Sequence, residues 1–354
     1  MPFAMNAWYV AAHADEITEA FLGRQIVGER VLMTRDSSGS VRAINDRCPH
    51  RFAPLHQGDR EEDAVVCPYH GLKFGIKDGI CSHNPHGDGR IPGAARVKVY
   101  PTEERDRVIW LWPGDPEKAD PSLIPDLELF YYDDFEAVHG HIQMGVDYRL
   151  VLDNLLDLSH AQYIHAGTLA PAKTKRLVTN EEGDDWIKVS AEMPDSLTTK
   201  GQGLFFEHER GDFRSAIQWI FPGVLRHYVS SSVTGTDPAL GCRSQNAHLI
   251  TPENETSTHY FWIHTRGETA KPFDAEINEL TRKVINHAFV NEDEPMIAEC
   301  QKYMDGQEFF SLKPLYLSSD YAGTRCRRLM ERKIAEEQAA AKPRPAQPEA
   351  QPAE

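Results

Sequence analysis

The sequence predicts an α+β chain, with an antiparallel β domain over residues 1–125 and a second domain over 126–338 in which helices flank an antiparallel sheet. Three observations predict it. Short strand-like segments, broken by Gly, Pro and Asp turns, fill the first third. A second set of alternating segments follows a Pro/Asp-rich connector. Helical periodicity is confined to the stretch around Asn154 to His165, to Phe273–Asp305 and to Arg325–Gln338.

In the first domain, Gln25-Ile26-Val27 and Arg30-Val31-Leu32-Met33 flank a Gly-Glu turn, and Val41 to Ile44 follows a Ser/Gly turn. Ala94 to Tyr100 and Val108 to Trp112 complete the expected strands. Between them lies the sharpest motif of the chain. Cys48-Pro49-His50 is followed, after 16 intervening residues, by Cys67-Pro68-Tyr69-His70-Gly71. Two cysteines and two histidines could hold a tetrahedral zinc. However, each loop supplies one Cys and one His, which suits a two-iron, two-sulfide cluster with both thiolates on one iron and both imidazoles on the other, the Rieske arrangement. The prolines stiffen the loops, and Gly71 permits a turn beside the last ligand. Arg47, Arg51, Arg60, Lys73, Lys77 and Arg90 bracket the motif and suggest a docking face for an acidic electron donor.

Residues Pro113 to Asp126 read as a connector. Beyond it, segments at Val138–Tyr148, Trp186–Glu192, Ser215–Phe221, His227–Val233, Ser244–Ile250 and Thr258–Thr265 predict a sheet of about six strands. Gly167–Lys175 and Pro194–Gly211 are less patterned and read as loops over a site. Asn154, Asp157 and His160 are spaced by three and share a helix face. His165 can join them only if the helix bulges or ends between His160 and His165. Phe273 to Asp305 reads as one long helix carrying Asn291-Glu292-Asp293-Glu294, and periodicity leaves open whether Glu292 or Asp293 points inward. Arg325 to Gln338 is a charged helix, and 339–354, rich in Ala, Pro, Gln and Glu, is expected to be disordered.

Composition narrows the function. The formal charge of −16 argues against a nucleic-acid binder. No apolar run reaches the roughly 20 residues of a membrane helix. The start lacks a signal-peptide pattern. Six unevenly spaced cysteines suggest a reducing compartment, so a cytoplasmic enzyme is expected. A mononuclear iron(II) commonly takes two histidines and one carboxylate, and His160, His165 and a carboxylate from the late helix offer that set.

With these motifs, and with Asn6 to Ala11, Trp112-Pro113-Gly114-Asp115 and Ile250-Thr251-Pro252-Glu253, the chain resembles the oxygenase components of Rieske non-haem iron oxygenases, and most of all their aromatic O-demethylase branch. The resemblance implies a Rieske [2Fe-2S] domain with Cys48, His50, Cys67 and His70 as ligands, then a helix-grip catalytic domain. It implies iron(II) on His160, His165 and Asp293, which settles the choice against Glu292. It places Asn154 near the iron. It makes Asp157 the bridge through which a neighbouring subunit's Rieske histidine, here His70, passes electrons in a head-to-tail homotrimer. It implies a flavin and iron–sulfur reductase or a ferredoxin, fed by NAD(P)H, and O2 as co-substrate. His259 matches best a substrate-contacting histidine, among the sheet candidates Arg226, His227, His248 and His259. The implied activity is O-demethylation of a methoxylated, vanillate-like aromatic acid with release of formaldehyde. Hydroxylation of an aryl methyl group is the alternative within the same chemistry. A Rieske electron carrier with a non-catalytic second domain is the alternative outside it.

Overall fold

The computed structural model describes residues 3–129, 136–166, 168–169, 176–204, 206–266 and 275–341. Eleven short strands build the N-terminal part: β1 (Tyr9–His13), β2 (Leu22–Ile26), β3 (Glu29–Arg35), β4 (Val41–Asn45), β5 (Asp59–Glu61), β6 (Ala64–Val66), β7 (Lys73–Gly75), β8 (Cys81–His83), β9 (Val99–Tyr100), β10 (Thr102–Arg105) and β11 (Val108–Leu111). They form three antiparallel sheets, ordered β1-β11-β10, β2-β3-β4-β9 and β5-β6-β7-β8. The last is made of three-residue strands, too short to leave an alternating pattern in the sequence. Of the expected strand Ala94–Tyr100 only Val99–Tyr100 pairs as a strand.

The second part is one seven-stranded antiparallel sheet, in the order β12-β18-β17-β16-β15-β14-β13. Its strands are β12 (Glu136–Met144), β13 (Leu177–Glu182), β14 (Trp186–Leu197), β15 (Arg210–Ile220), β16 (Val224–Ser232), β17 (Cys242–Asn254) and β18 (Ser257–Arg266). One more strand is present than the six expected. The addition, β13, is an edge strand whose residues are all exposed, so it lacks the buried alternation that marks a strand in sequence.

Helices pack against the sheet. They are α1 (Tyr148–Leu156), the short α2 (Ala161–Ile164), α3 (Ala275–Asn286), α4 (Glu294–Tyr303) and α5 (Tyr321–Ala341). Two differ from expectation. The α1 helix ends at Leu156, before His160 rather than after it, because Asp157 is extended (φ −95°, ψ 97°). The predicted long helix is split. Residues His287–Asp293 form a wide π-helical turn between α3 and α4, closed by Glu294 N donating to Phe289 O. Pro295 is the physical cause: it has no N–H for the carbonyl four residues back, and its ring clashes there. The α5 helix continues to Ala341, three residues into the tail expected from 339, and 342–354 lie outside the described residues.

The two parts are joined through main-chain and side-chain bonds. Val27 N donates to Pro252 O at 2.7 Å, Gly28 N to Glu253 O at 2.9 Å, and Thr251 Oγ1 to Val10 O at 2.7 Å. One apolar core runs through both, from Ile26, Val31 and Met33 to Met144, Leu152, Trp219 and Tyr260. A buried ion pair, Arg327 to Asp153 at 2.6 Å, holds α1 against α5. Among the described residues no helix is long and apolar enough to cross a membrane.

Candidate cluster and metal sites

The two Cys/His loops have the same backbone. Cys48 N donates to Ala53 O and Phe52 N to Cys48 O, each at 2.9 Å. Cys67 N donates to Leu72 O at 2.8 Å and Gly71 N to Cys67 O at 2.9 Å. The fourth residue after each cysteine is left-handed, Phe52 at φ 62° and Gly71 at φ 69°. Gly71 meets this without strain; Phe52 carries a cost of about 1–2 kcal/mol. Both thiols are buried in a small core with Leu32, Ile44, Leu55, Val65 and Phe74. The His50 and His70 rings face each other, with centroids 4.4 Å apart. His50, Phe52 and Tyr69 are exposed, so the loops form an apolar tip at the surface. Of the basic residues flanking the motif, Arg60 is tied to Glu19 O and Thr34, and Lys73 to Glu61 at 2.9 Å. These two stabilise the fold rather than offer free charge.

The second site lies where α1, α2 and the wide turn meet. The chain reverses after Asp157, and Ser159 N is capped by Asp157 Oδ1 at 2.7 Å. His160 begins the short α2 and His165 ends it. Asp293 closes the wide turn and is 1 % exposed. Donor atoms of His160, His165 and Asp293 all lie within 4.8 Å of one another. His160 Nε2 is 3.6 Å from Asp293 Oδ1, and His165 Nε2 is 3.1 Å from Oδ2. Oδ2 is buried yet accepts no properly directed hydrogen bond. Asn154 Nδ2 donates to Oδ1 at 3.0 Å. Each histidine turns its other nitrogen away: His160 Nδ1 donates to the Asp157 carbonyl, and His165 Nδ1 to Glu292 Oε2 at 2.7 Å. Burial drags the His160 ring below its ordinary pKa, outweighing the attraction of Asp293. Burial acts on His165 too, but Asp293 and Glu292 together overcome it and its pKa ends raised.

No other group of three His, Cys, Asp or Glu donors among the described residues converges in this way. The four Cys/His donors of the N-terminal loops therefore do not share one point, as a single tetrahedral zinc requires. The two thiols lie beside each other and the two rings face each other, a pairing compatible with a two-iron cluster. Two domain families match the chain: the Rieske [2Fe-2S] domain over residues 7–101, and the vanillate O-demethylase oxygenase C-terminal domain over residues 144–336.

The chain belongs to the Rieske non-haem iron oxygenases.

The oxygenase component of chloroacetanilide N-alkylformylase from Rhizorhabdus wittichii is 40% identical, with 94% of this chain and 96% of the relative covered. The oxygenase component of dicamba O-demethylase from Stenotrophomonas maltophilia is 35% identical, over 94% of this chain and 98% of the relative. The crystal structure of dicamba monooxygenase bound to dicamba superposes with a TM-score of 0.85 at 33% identity, covering 95% of this chain and 99% of that one. The cofactors of this Rieske oxygenase are thus a [2Fe-2S] cluster and a mononuclear iron. The residues present fit them. The His70 Nδ1 atom is buried without a partner, as a ligand nitrogen would be. Burial pushes the Cys48 thiol up to about 11, and Cys67 beside it adds to this; a metal would hold it as the thiolate. Asp293 Oδ2 and the two Nε2 atoms leave one face for iron.

A cavity of about 240 Å³ opens on Asp293, His160 and His165, lined mostly by apolar side chains such as Leu155, Met193, Phe213 and Ile217. Its polar wall comes from alternate residues of three strands: Ser215 on β15, His227 on β16 and His248 on β17. They form a row. Ser215 Oγ is 2.9 Å from His227 Nε2, His227 Nδ1 is 3.3 Å from His248 Nε2, and His248 Nδ1 is 2.5 Å from Tyr260 Oη. His264 and Asn246 also line it and bond each other. Burial lowers His227 to about 4 and His264 to about 3, and holds His248 well below its ordinary value, so all three are neutral at pH 7.

The expected substrate contact, His259, is elsewhere. Along β18 the even positions Tyr260, Trp262 and His264 turn toward the helices and cavity, while His259 and Phe261 turn to the N-terminal part. His259 donates from Nε2 to Gln25 O at 3.0 Å and lies 3.1 Å from His141 Nε2; it does not line the cavity. Arg226 is likewise on the far face, paired with Glu128. Asn246 left no sequence signal beyond its period-two relation to His248, and His264 none beyond its relation to Trp262 and Tyr260; such relations do not say which face a cavity will occupy.

Proposed function

We propose that this protein is the terminal oxygenase of a multicomponent monooxygenase that removes the methyl group of a methoxylated, vanillate-like aromatic acid. The cavity carries the proposal. Asp293 is the only acid among its described lining residues, whereas Arg176 and Arg214 bring positive charge. Arg176 Nη1 donates to the Leu158 carbonyl, and its Nε and Nη2 are buried without a partner. An apolar slot with two arginines at its wall, Arg176 near Asp157 and Arg214 near Asp212, and with neutral imidazoles favours a flat ring carrying an anionic group.

In this proposal Cys48, His50, Cys67 and His70 hold the cluster, and His160, His165 and Asp293 hold iron(II). The cluster supplies single electrons and the iron activates O2. The chain's residues do the rest. Asn154 fixes the Asp293 carboxylate. The row of Ser215, His227 and His248 forms the polar wall against which the polar end of the substrate lies, leaving the methoxy carbon toward the triad. The apolar wall excludes water. The net change is insertion of one oxygen atom into a methyl C–H bond, with the second oxygen leaving as water after two electrons and two protons; the resulting hemiacetal collapses to a phenol and formaldehyde. Electrons come from NAD(P)H through a flavin and iron–sulfur reductase or a ferredoxin. His70 of one subunit and Asp157 of the next join the two centres in a cytoplasmic homotrimer, with Asp157 as a bridge rather than a general acid.

The test is a panel of methoxylated benzoates, methylarene sulfonates and neutral N-alkyl anilides, scored by substrate-coupled O2 uptake. One formaldehyde per O2 from a methoxybenzoate supports the proposal. Alcohol formation from a methylarene sulfonate, or turnover of neutral anilides alone, moves the assignment to methyl hydroxylation or N-dealkylation.

A further inference from the structure

The two histidines that face Asp293 are supported differently on their far sides. His160 leans on a neutral backbone carbonyl, that of Asp157. His165 leans on a carboxylate, Glu292 Oε2, at 2.7 Å. Glu292 is itself held. Thr168 Oγ1 lies 3.1 Å from its Oε2 and 3.3 Å from its Oε1. Thr168 N donates to the His165 carbonyl at 3.0 Å, and Gly201 N donates to the Thr168 carbonyl at 2.9 Å. The Thr168 hydroxyl has one proton and two acceptors in reach, the His165 carbonyl at 3.0 Å and Glu292; the charged acceptor makes the stronger bond. The Glu292 side chain is only 15 % exposed, so water screens it little.

We propose that Glu292, clamped by Thr168, is a positioning residue for the iron, and that it makes His165 the stronger of the two imidazole donors. The proposal rests on the assignment of iron to His160, His165 and Asp293. A carbonyl and a carboxylate both fix the ring and its tautomer, so that Nε2 presents its lone pair to the metal. Only the carboxylate also polarises the ring and raises its basicity. The iron site is therefore asymmetric. One histidine is tuned by a charge from the wide turn that also carries Asp293. The other is tuned by the main chain of Asp157.

The asymmetry is read as iron affinity, by competition of a ferrous chelator for the iron of the full-length holoenzyme. The visible spectrum of the Rieske cluster reports folding in every variant. Glu292→Ala is expected to weaken iron binding about 10- to 100-fold with an unchanged cluster spectrum. Glu292→Gln keeps the bond without the charge and falls between. Thr168→Val weakens binding and Thr168→Ser restores it. Wild-type affinity in Glu292→Ala overturns the proposal. Iron retained by His160→Ala would instead overturn the assignment beneath it.

Discussion

The side-chain amide of Asn154 donates to Oδ1 of Asp293 at 3.0 Å across 139 positions of sequence. That bond fastens α1 to the wide turn and leaves Oδ2 directed at His165. Asn154→Ala leaves a buried carboxylate oxygen without its donor, a loss of about 1–3 kcal/mol. Iron affinity is expected to fall correspondingly and turnover with it, the cluster spectrum being unaffected. Unchanged iron content and turnover would show that Asp293 needs no such support.

His160→Ala removes one of the three donors that converge within 4.8 Å. Metal analysis should drop from about three irons per chain to about two, as expected for one mononuclear site beside one cluster. The cluster absorbance persists and turnover disappears. Two irons in the unaltered protein would point to an electron carrier with a non-catalytic second domain.

Cys48 and Cys67 are both buried in the cluster loops. Cys48→Ser should abolish the Rieske spectrum and its acid-labile sulfide while the catalytic sheet still folds, seen as retained strand circular dichroism. Zinc in place of iron and sulfide would refute the two-iron arrangement.

His248 stands between His227 and Tyr260 on the cavity wall. His248→Leu removes the polar contact and keeps the volume roughly constant. KM for the best methoxybenzoate is expected to rise about 10-fold or more, with a smaller change in kcat, since a hydrogen bond to a charged group contributes about 1.5–3 kcal/mol. By contrast, His259→Leu should leave KM alone and lower Tm, because His259 joins the two parts of the fold. The reverse pattern would restore His259 as the substrate contact.

Burial lowers His227 to about 4 and His264 to about 3; burial, then Arg24, lowers His141 to about 4. The unfolded chain titrates near 6.5. Between those values the unfolded state binds protons that the folded state refuses, so stability rises with pH there. It is fully present above about 6.5 and is lost as pH falls toward 4. Melting curves should show Tm decreasing steadily from pH 7 to pH 4.5. A flat profile would mean these rings charge freely in the fold.

Local chemistry was the legible part. The proposed cluster ligands sit on two short loops whose paired backbone bonds, Phe52 to Cys48 and Gly71 to Cys67, close within each loop. Residue order and proline spacing are therefore enough to see them. His160 and His165 were legible as a pair for the same reason. The place of the helix break was not, because no glycine or proline in the run marks the extended Asp157.

What the sequence determines by itself is the donor inventory: two Cys/His loops, a histidine pair and an acidic run, together with the α+β order of the segments. Tertiary structure decides which of two adjacent acids meets the metal-binding point and which stands behind it. The wide turn before Pro295 brings Asp293 to the histidines and Glu292 to the back of His165. It also decides which sheet face becomes the cavity, putting His227 and His248 inside and His259 against Gln25. The physical reason is the same in both cases. Periodicity gives the relative orientation of neighbouring side chains, but only packing against residues distant in sequence, here the N-terminal strands on one side and the helices on the other, assigns each face its surroundings.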